Sequence, residues 1–172
     1  PHHLENLLAL HKDTTTISKE SFYAHPSFNK LCLKQLPPSV ETIEDDAFRL
    51  REELQLTFLP DTVVGIGNGA FYFCTKLKLH RLPAKLTTLG NGAFGACRSM
   101  TLDGQDGSDQ PVWPTELEEI PGSAFHLCTA ISHIDLPPNL TSIGRYAFLG
   151  CQSLKSVSFP GRLREVSDGA FA

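Results

Sequence analysis

His133 and Asp135 stand two residues apart, so on an extended strand they share one face, and an imidazole beside a carboxylate is raw material for general acid–base chemistry. Catalysis by such a pair also needs a nucleophile with an orienting partner, and none stands at a readable spacing. No P-loop or G-x-G-x-x-G follows a strand into a helix either. Asp103, Asp106 and Asp109 recur every three residues with Gly104 and Gly107 between them, a set of oxygen donors that could hold calcium. The EF-hand order and its closing Glu are missing, and the composition also predicts a mobile polar turn. Cys74, Cys97, Cys128 and Cys151 follow one another at intervals of 23, 31 and 23. With no C-x-x-C pair and no His at ligand spacing, they do not read as a zinc set. Asn139-Leu-Thr141 has the form of a glycosylation acceptor, which matters only in a secreted chain.

The cysteine intervals are those of the whole chain. A Ser-Phe or Ala-Phe pair recurs with its Phe at 22, 48, 71, 94, 125, 148 and 171, a 23-residue period with one copy longer by three and one by eight. A fixed period of this length marks a solenoid, whose units bury their apolar faces only against one another. Phe22, Phe48, Phe71, Phe94, Phe125, Phe148 and Phe171 should therefore form a column, with the four cysteines as a ladder three residues behind it. Coils about 4.8 Å apart would bring those thiols within disulfide range, but equivalent side chains point in parallel, and buried thiols are the expectation. Cys32 lies outside the ladder and is the thiol expected to be exposed.

A second series of positions counts from proline. Pro37, Pro60, Pro83, Pro114, Pro137 and Pro160 are each followed at +3 by Val or Leu and at +6 by Ile, Leu or Val, side chains that should point inward. The strand before each Pro has two spellings. Ile131-x-x-Ile134-x-Leu136 and Leu154-x-x-Val157-x-Phe159 follow L-x-x-L-x-L; the earlier copies read Leu31-x-Leu33-x-x-Leu36, Leu54-x-Leu56-x-x-Leu59 and Leu77-x-Leu79-x-x-Leu82. In the later register Lys34, Thr57 and His80 would enter the core, costly for an unpaired Lys. Two outcomes stay open: a local bulge that turns Leu33, Leu56 and Leu79 inward, or an outward apolar stripe joined by Phe58.

Residues 1–16 read as an N-terminal capping segment, a short helix with Leu4, Leu7, Leu8 and His11 on one face, and 17–172 as about six repeats ending in mid-repeat. A net charge of −4 without a basic stripe gives no basis for nucleic-acid binding, no apolar run approaches the length of a transmembrane segment, and no leader opens the chain. The residues 103–113, eight more than other copies carry, break the period, and Trp113 there takes the apolar place before Pro114.

The pattern C-x-x-L-x-x-I-x-L-P-x-x-L-x-x-I-G-x-x-A-F over residues 17–172 resembles the BspA-like, or Treponema-type, leucine-rich repeat family; Arg51 and His25 stand at the Cys position of two early copies. The resemblance implies a repeat solenoid: a right-handed coil with a parallel β-sheet on one face and short strands, turns and helical turns on the other. It also implies surface adhesion or protein binding, with no family-wide catalytic residue and no cofactor. The expected function is a non-enzymatic recognition module for another protein, read by its open strand face and the insertion. Its candidate residues are Gln35, Phe58, Arg81, Asp103, Asp106, Asp109, His133, Asp135, Ser156 and Ser158. Alternatives are a structural subunit of a larger assembly and, further off, the targeting part of a longer enzyme. The family points to an extracellular or cell-surface setting, while unpaired cysteines also suit an intracellular one.

Overall fold

The structure, a computed structural model, describes residues 12–22, 35–109 and 111–172. Residues 1–11 of the expected capping segment 1–16, and His25, Leu31, Cys32, Leu33 and Lys34, lie outside the described residues. Elsewhere the chain winds into a solenoid whose coils are joined by two ladders.

The first ladder consists of two-residue parallel strands. Strands β1 (Thr16–Ile17), β2 (Thr42–Ile43), β3 (Gly65–Ile66) and β4 (Thr88–Leu89) pair in that order. Strand β5 (Glu119–Ile120) pairs with β7 (Ser142–Ile143), which pairs with β9 (Glu165–Val166). From β2 onward these strands occupy the fifth and sixth positions after each repeat proline, so Ile43, Ile66, Ile120 and Ile143 point inward and are buried. At Gly90, one residue on, the coils touch backbone to backbone: a Cβ there would stand 2.3 Å from the Asn68 nitrogen of the coil before. Only glycine lets the chain pass that closely.

Among the described residues, the segments before proline are hydrogen-bonded strands only in the last two coils, where β6 (His133–Asp135) pairs with β8 (Ser156–Ser158). Earlier, the different spelling has a structural consequence. Leu54, Leu56 and Leu59 are all buried, as are Leu77, Leu79 and Leu82. Bringing the third leucine inward requires two consecutive outward residues, and the chain bends at Thr57 and again at His80 and Arg81. The bend interrupts the pleat, so no regular ladder forms there. Leu56 and Leu79 thus take the inward, bulged outcome, and among the described residues no leucine stripe joins Phe58 on the surface.

The second ladder runs through the turns that carry the Phe column. These are linked hydrogen-bonded turns rather than helical ones; the one helical element among the described residues is the 3₁₀ turn Lys19–Phe22. The N–H groups of Phe48, Phe71, Phe94, Phe125 and Phe148 donate to the Ala carbonyls of the next coil: Phe48 to Ala70 at 2.7 Å, Phe94 to Ala124 at 2.8 Å, Phe148 to Ala170 at 2.7 Å. The rings of Phe48, Phe71, Phe94, Phe125, Phe148 and Phe171 stack with centroids 5.0 to 5.6 Å apart. The longest step, 5.6 Å between Phe94 and Phe125, is the one that spans the insertion. There the strand ladder breaks between β4 and β5, while the turn ladder continues through Gly92 N–H to Gly122 O at 2.9 Å and Ala96 N–H to His126 O at 2.6 Å.

The cysteines complete this spine. Cys74, Cys97, Cys128 and Cys151 donate their thiol protons to the carbonyls of Phe48, Phe71, Phe94 and Phe125, one coil back, at 3.0 to 3.2 Å. All four are buried and unbridged. Burial pushes the Cys74 thiol up to about 12 and Cys151 up to about 11, so neither is a thiolate at neutral pH.

Phe94 lies in the middle of the column. Phe94→Ala should destabilise the fold by about 3–5 kcal/mol in a denaturant titration, and a change near zero would remove the column from the core.

Candidate interaction surface

The outward residues of the bends at His80 and Arg81 hold the insertion in place. Arg81 forms a fork on Asp61, one turn of the coil away, with Nη1 to Oδ1 at 2.6 Å and Nη2 to Oδ2 at 3.1 Å. Its Nε donates to Asp106 Oδ2 at 2.6 Å. The second oxygen of Asp106 accepts the Ser108 N–H and hydroxyl, closing the tip of the loop on itself. Beside this knot His80 Nδ1 meets Asp103 Oδ1 at 2.7 Å, Gly104 N–H donates to the His80 carbonyl at 2.9 Å, and Leu82 N–H donates to Val112 O at 2.9 Å. Trp113 then drops into the core, edge-on to Phe125 at 5.3 Å.

The segment expected to be a mobile polar turn is therefore tied to the third coil at both ends and in the middle. The reason is charge: planar guanidinium presents enough N–H groups to engage two carboxylates at once, and Arg81 does so with its side chain only 12% exposed. Arg81 is thus a tie and not the outward reading residue that its place in the repeat suggested. The carboxylates of Asp103 and Asp106 turn toward His80 and Arg81, away from a common centre with Asp109. Among the described residues no three His, Cys, Asp or Glu side chains gather as a metal-binding group. Sequence reasoning missed Asp61 and His80. Their signal was positional: Asp61 follows Pro60, Arg81 precedes Pro83 by two, and adjacent coils bring those places together.

Around the tied loop, Gln35 and Phe58 are exposed, and Asp109 projects into solvent from the loop itself. His133, Asp135, Ser156 and Ser158 face outward from the β6–β8 pair. His133 Nδ1 shares a short hydrogen bond with Ser156 Oγ, and His133 Nε2 lies 3.2 Å from Asp135 Oδ2. A hydroxyl thus joins the acid–base pair, supplied from one coil further along and so invisible to a search for local spacing. The His133 and Asp135 side chains are 57% and 73% exposed, so water screens the charge interactions that a hydrolytic relay relies on. The arrangement is a polar cross-link between coils.

The sequence matches the model of the BspA type leucine rich repeat region in six copies, over residues 4–103 and 109–172. The chain belongs to this family. The gap in the match falls inside the insertion, which is therefore the family's departure as well as the period's. Among solved structures, the fold is similar to a leucine-rich repeat protein from Bacteroides ovatus, at 26% identity and a TM-score of 0.73 over 92% of this chain and 38% of that one. It is also similar to a leucine rich cell surface protein from Faecalibacterium prausnitzii, at 27% identity and a TM-score of 0.59 over 77% of this chain and 40% of that one. A leucine rich repeat protein of T. pallidum shares the fold at 20% identity and a TM-score of 0.55, over 78% of this chain and 69% of that one. The chain thus spans about two fifths of the length of the first two. No curated protein matches the sequence. Among the described residues no helix is long and apolar enough to cross a membrane.

The Arg81 knot has a defined acid limit. The Arg81 fork, with a further hydrogen bond from Ala84 N–H, holds the Asp61 carboxyl below its ordinary value, and Ser108 together with Arg81 holds Asp106 down to about 2. Depressed carboxyls contribute stability above the unfolded value of about 3.9 and lose it as pH falls through the folded value. The docked loop should accordingly persist at pH 5 and loosen only between about pH 4 and pH 2. The Ser108 and Gln105 amide resonances would report it; a midpoint at or above the ordinary carboxylate value would mean that the knot does not form.

Proposed function

We propose that the chain is a non-enzymatic protein-recognition module whose contact surface is the pre-proline face together with the insertion 103–113. Membership of this leucine-rich repeat family supports a protein-interaction repeat module. The finer assignment rests on one observation: the loop is long, polar and unlike the rest of the stack, yet is immobilised on rigid coils by the Asp61–Arg81–Asp106 bridge. A loop ordered before contact loses less conformational entropy on binding than a mobile one, so its polar groups add more affinity. Phe58 and Gln35 on the coils before it, and His133, Asp135, Ser156 and Ser158 on those after it, extend the surface to both sides. The mixed charges along this surface favour a partner with alternating polar groups over a uniformly charged polymer. In this role Arg81 is a positioning residue, and Asp103, Asp109 and Phe58 are the contact candidates. With Leu56 and Leu79 buried, the reading as an assembly subunit loses the stripe that would have seated it.

Deleting residues 104–110 should leave cooperative unfolding intact, because neighbouring coils manage without such a loop, while abolishing capture of the partner by the immobilised chain from an extract of the native source. Arg81→Lys, which keeps the charge but not the fork, should retain the fold and weaken capture about tenfold. Capture of the same proteins by the deletion and the intact chain would overturn the assignment of the insertion.

A further inference from the structure

In the middle of the stack, the step from the coil of β4 to the coil of β5 is fastened on one side only. At the step before it, Thr87 and Thr88 N–H donate to Val64 O at 3.0 and 3.2 Å, and Gly90 N–H donates to Ile66 O at 2.8 Å. The same three bonds recur at every other step of the strand ladder, and between β4 and β5 none of them forms. Pro121 stands where Gly90 and Gly144 stand in their own coils, and proline has no N–H to give. The Leu89 carbonyl therefore lacks the bond that Ile66 and Ile120 receive, and the Glu118 and Glu119 N–H groups find no acceptor in the coil before. The Pro121 ring also adds bulk where a Cβ on Gly90 or Gly144 would lie 2.3 or 2.5 Å from the backbone of the preceding coil. Leu89 is accordingly partly exposed, where Ile43, Ile66, Ile120 and Ile143 are buried.

The pre-proline side parts at the same point of the chain. Up to Trp113 the backbone bonds backwards, with Thr101 and Leu102 N–H to Leu79 O at 3.3 and 3.2 Å and Val112 O accepting from Leu82 N–H. From Pro114 on it bonds forwards, with Thr115 O accepting from Asn139 Nδ2 at 2.9 Å and Ile120 O from Gly144 N–H at 2.7 Å. Among the described residues, the hydrogen bonds that cross from one part to the other are those of the turn ladder, from Gly92, Phe94 and Ala96, and the Cys128 thiol on Phe94 O. The remaining crossing contacts are apolar, as between Trp113 and Phe125, and apolar contact is non-directional, so it resists tilting less than a hydrogen bond does. We infer that this step is a joint built into the stack: the strand side and the pre-proline side part and close there while the turn ladder stays bonded as the axis. The insertion, tied to Asp61, His80 and Arg81, travels with the first part, and His133, Asp135, Ser156 and Ser158 travel with the second. On the recognition reading above, the joint therefore sets the gap between the two halves of the contact surface; the joint itself does not depend on that reading.

Residual dipolar couplings of the backbone amides, measured on the intact chain weakly aligned and without any partner, test the joint. The couplings of residues 42–109 and of residues 114–170 should each fit one alignment tensor, and the two tensors should differ in magnitude. Pro121→Gly supplies both the missing N–H and the clearance, and Pro121→Ser supplies the N–H alone, as Ser167 does toward Ile143 O at 2.9 Å. In either variant the difference in magnitude should be lost, and the amide introduced should exchange with solvent as slowly as those of Gly90 and Gly144. One tensor of one magnitude in the wild type overturns the inference, whatever the variants do. Two magnitudes that persist in both variants overturn it as well, because the parting would then not come from Pro121.

Discussion

The hydrogen bond from the repeat Phe N–H to the Ala carbonyl of the next coil, made by every repeat Phe from Phe48 to Phe148, is the constraint on which the other regularities depend. Once that bond sets the rise between coils, the rings of the Phe column must stack at about the same rise, and they do, at 5.0 to 5.6 Å. Holding the Phe inward requires a sharp path on both sides of it. The residues two before and two after Phe48, Phe71, Phe94, Phe125 and Phe148 accordingly take left-handed backbone angles, as at Asp46 and Leu50, Gly69 and Phe73, or Gly92 and Ala96. Bulky residues there cost about 1 kcal/mol each, which the buried stack and the thiol-to-carbonyl bonds beneath it offset.

This spine explains how the chain accommodates eight additional residues. The strand ladder parts between β4 and β5, but the turn ladder and the ring column pass the same point unbroken. The two sides of a coil are thus unequal: one is fixed by the repeat, the other free to lengthen. An insertion on the free side still needs to be held, and the bends at His80 and Arg81 supply outward side chains just where it emerges. The departure from the strand pattern in the early copies and the docking of the loop are therefore one feature.

Much of this was legible in the sequence, for a physical reason. A 23-residue period forces equivalent side chains into columns, so the Phe and Cys ladders and the inward Ile positions follow from counting. What counting could not supply was which segment forms the ladder. The L-x-x-L-x-L run before proline carries the family signature, yet in the early copies burying Leu54, Leu56 and Leu59 together outweighs regular pairing. Nor could it reveal Asp61 beside Arg81 or Ser156 beside His133. Those contacts join residues 20 and 23 apart, and their geometry depends on side-chain reach across coils. Arg81 looked outward by position and is satisfied by two carboxylates in fact.

The central claim is that the turn ladder is a continuous spine across the insertion. Native-state hydrogen exchange of the backbone amides measures it directly. The account predicts that Phe94 and Ala96, which donate across the lengthened coil, exchange as slowly as Phe48, Phe71, Phe125 and Phe148, near the limit set by global unfolding. Phe94 and Ala96 amides exchanging at the rate of the loop amides of 104–108 would show two half-stacks joined by a hinge, and would contradict it.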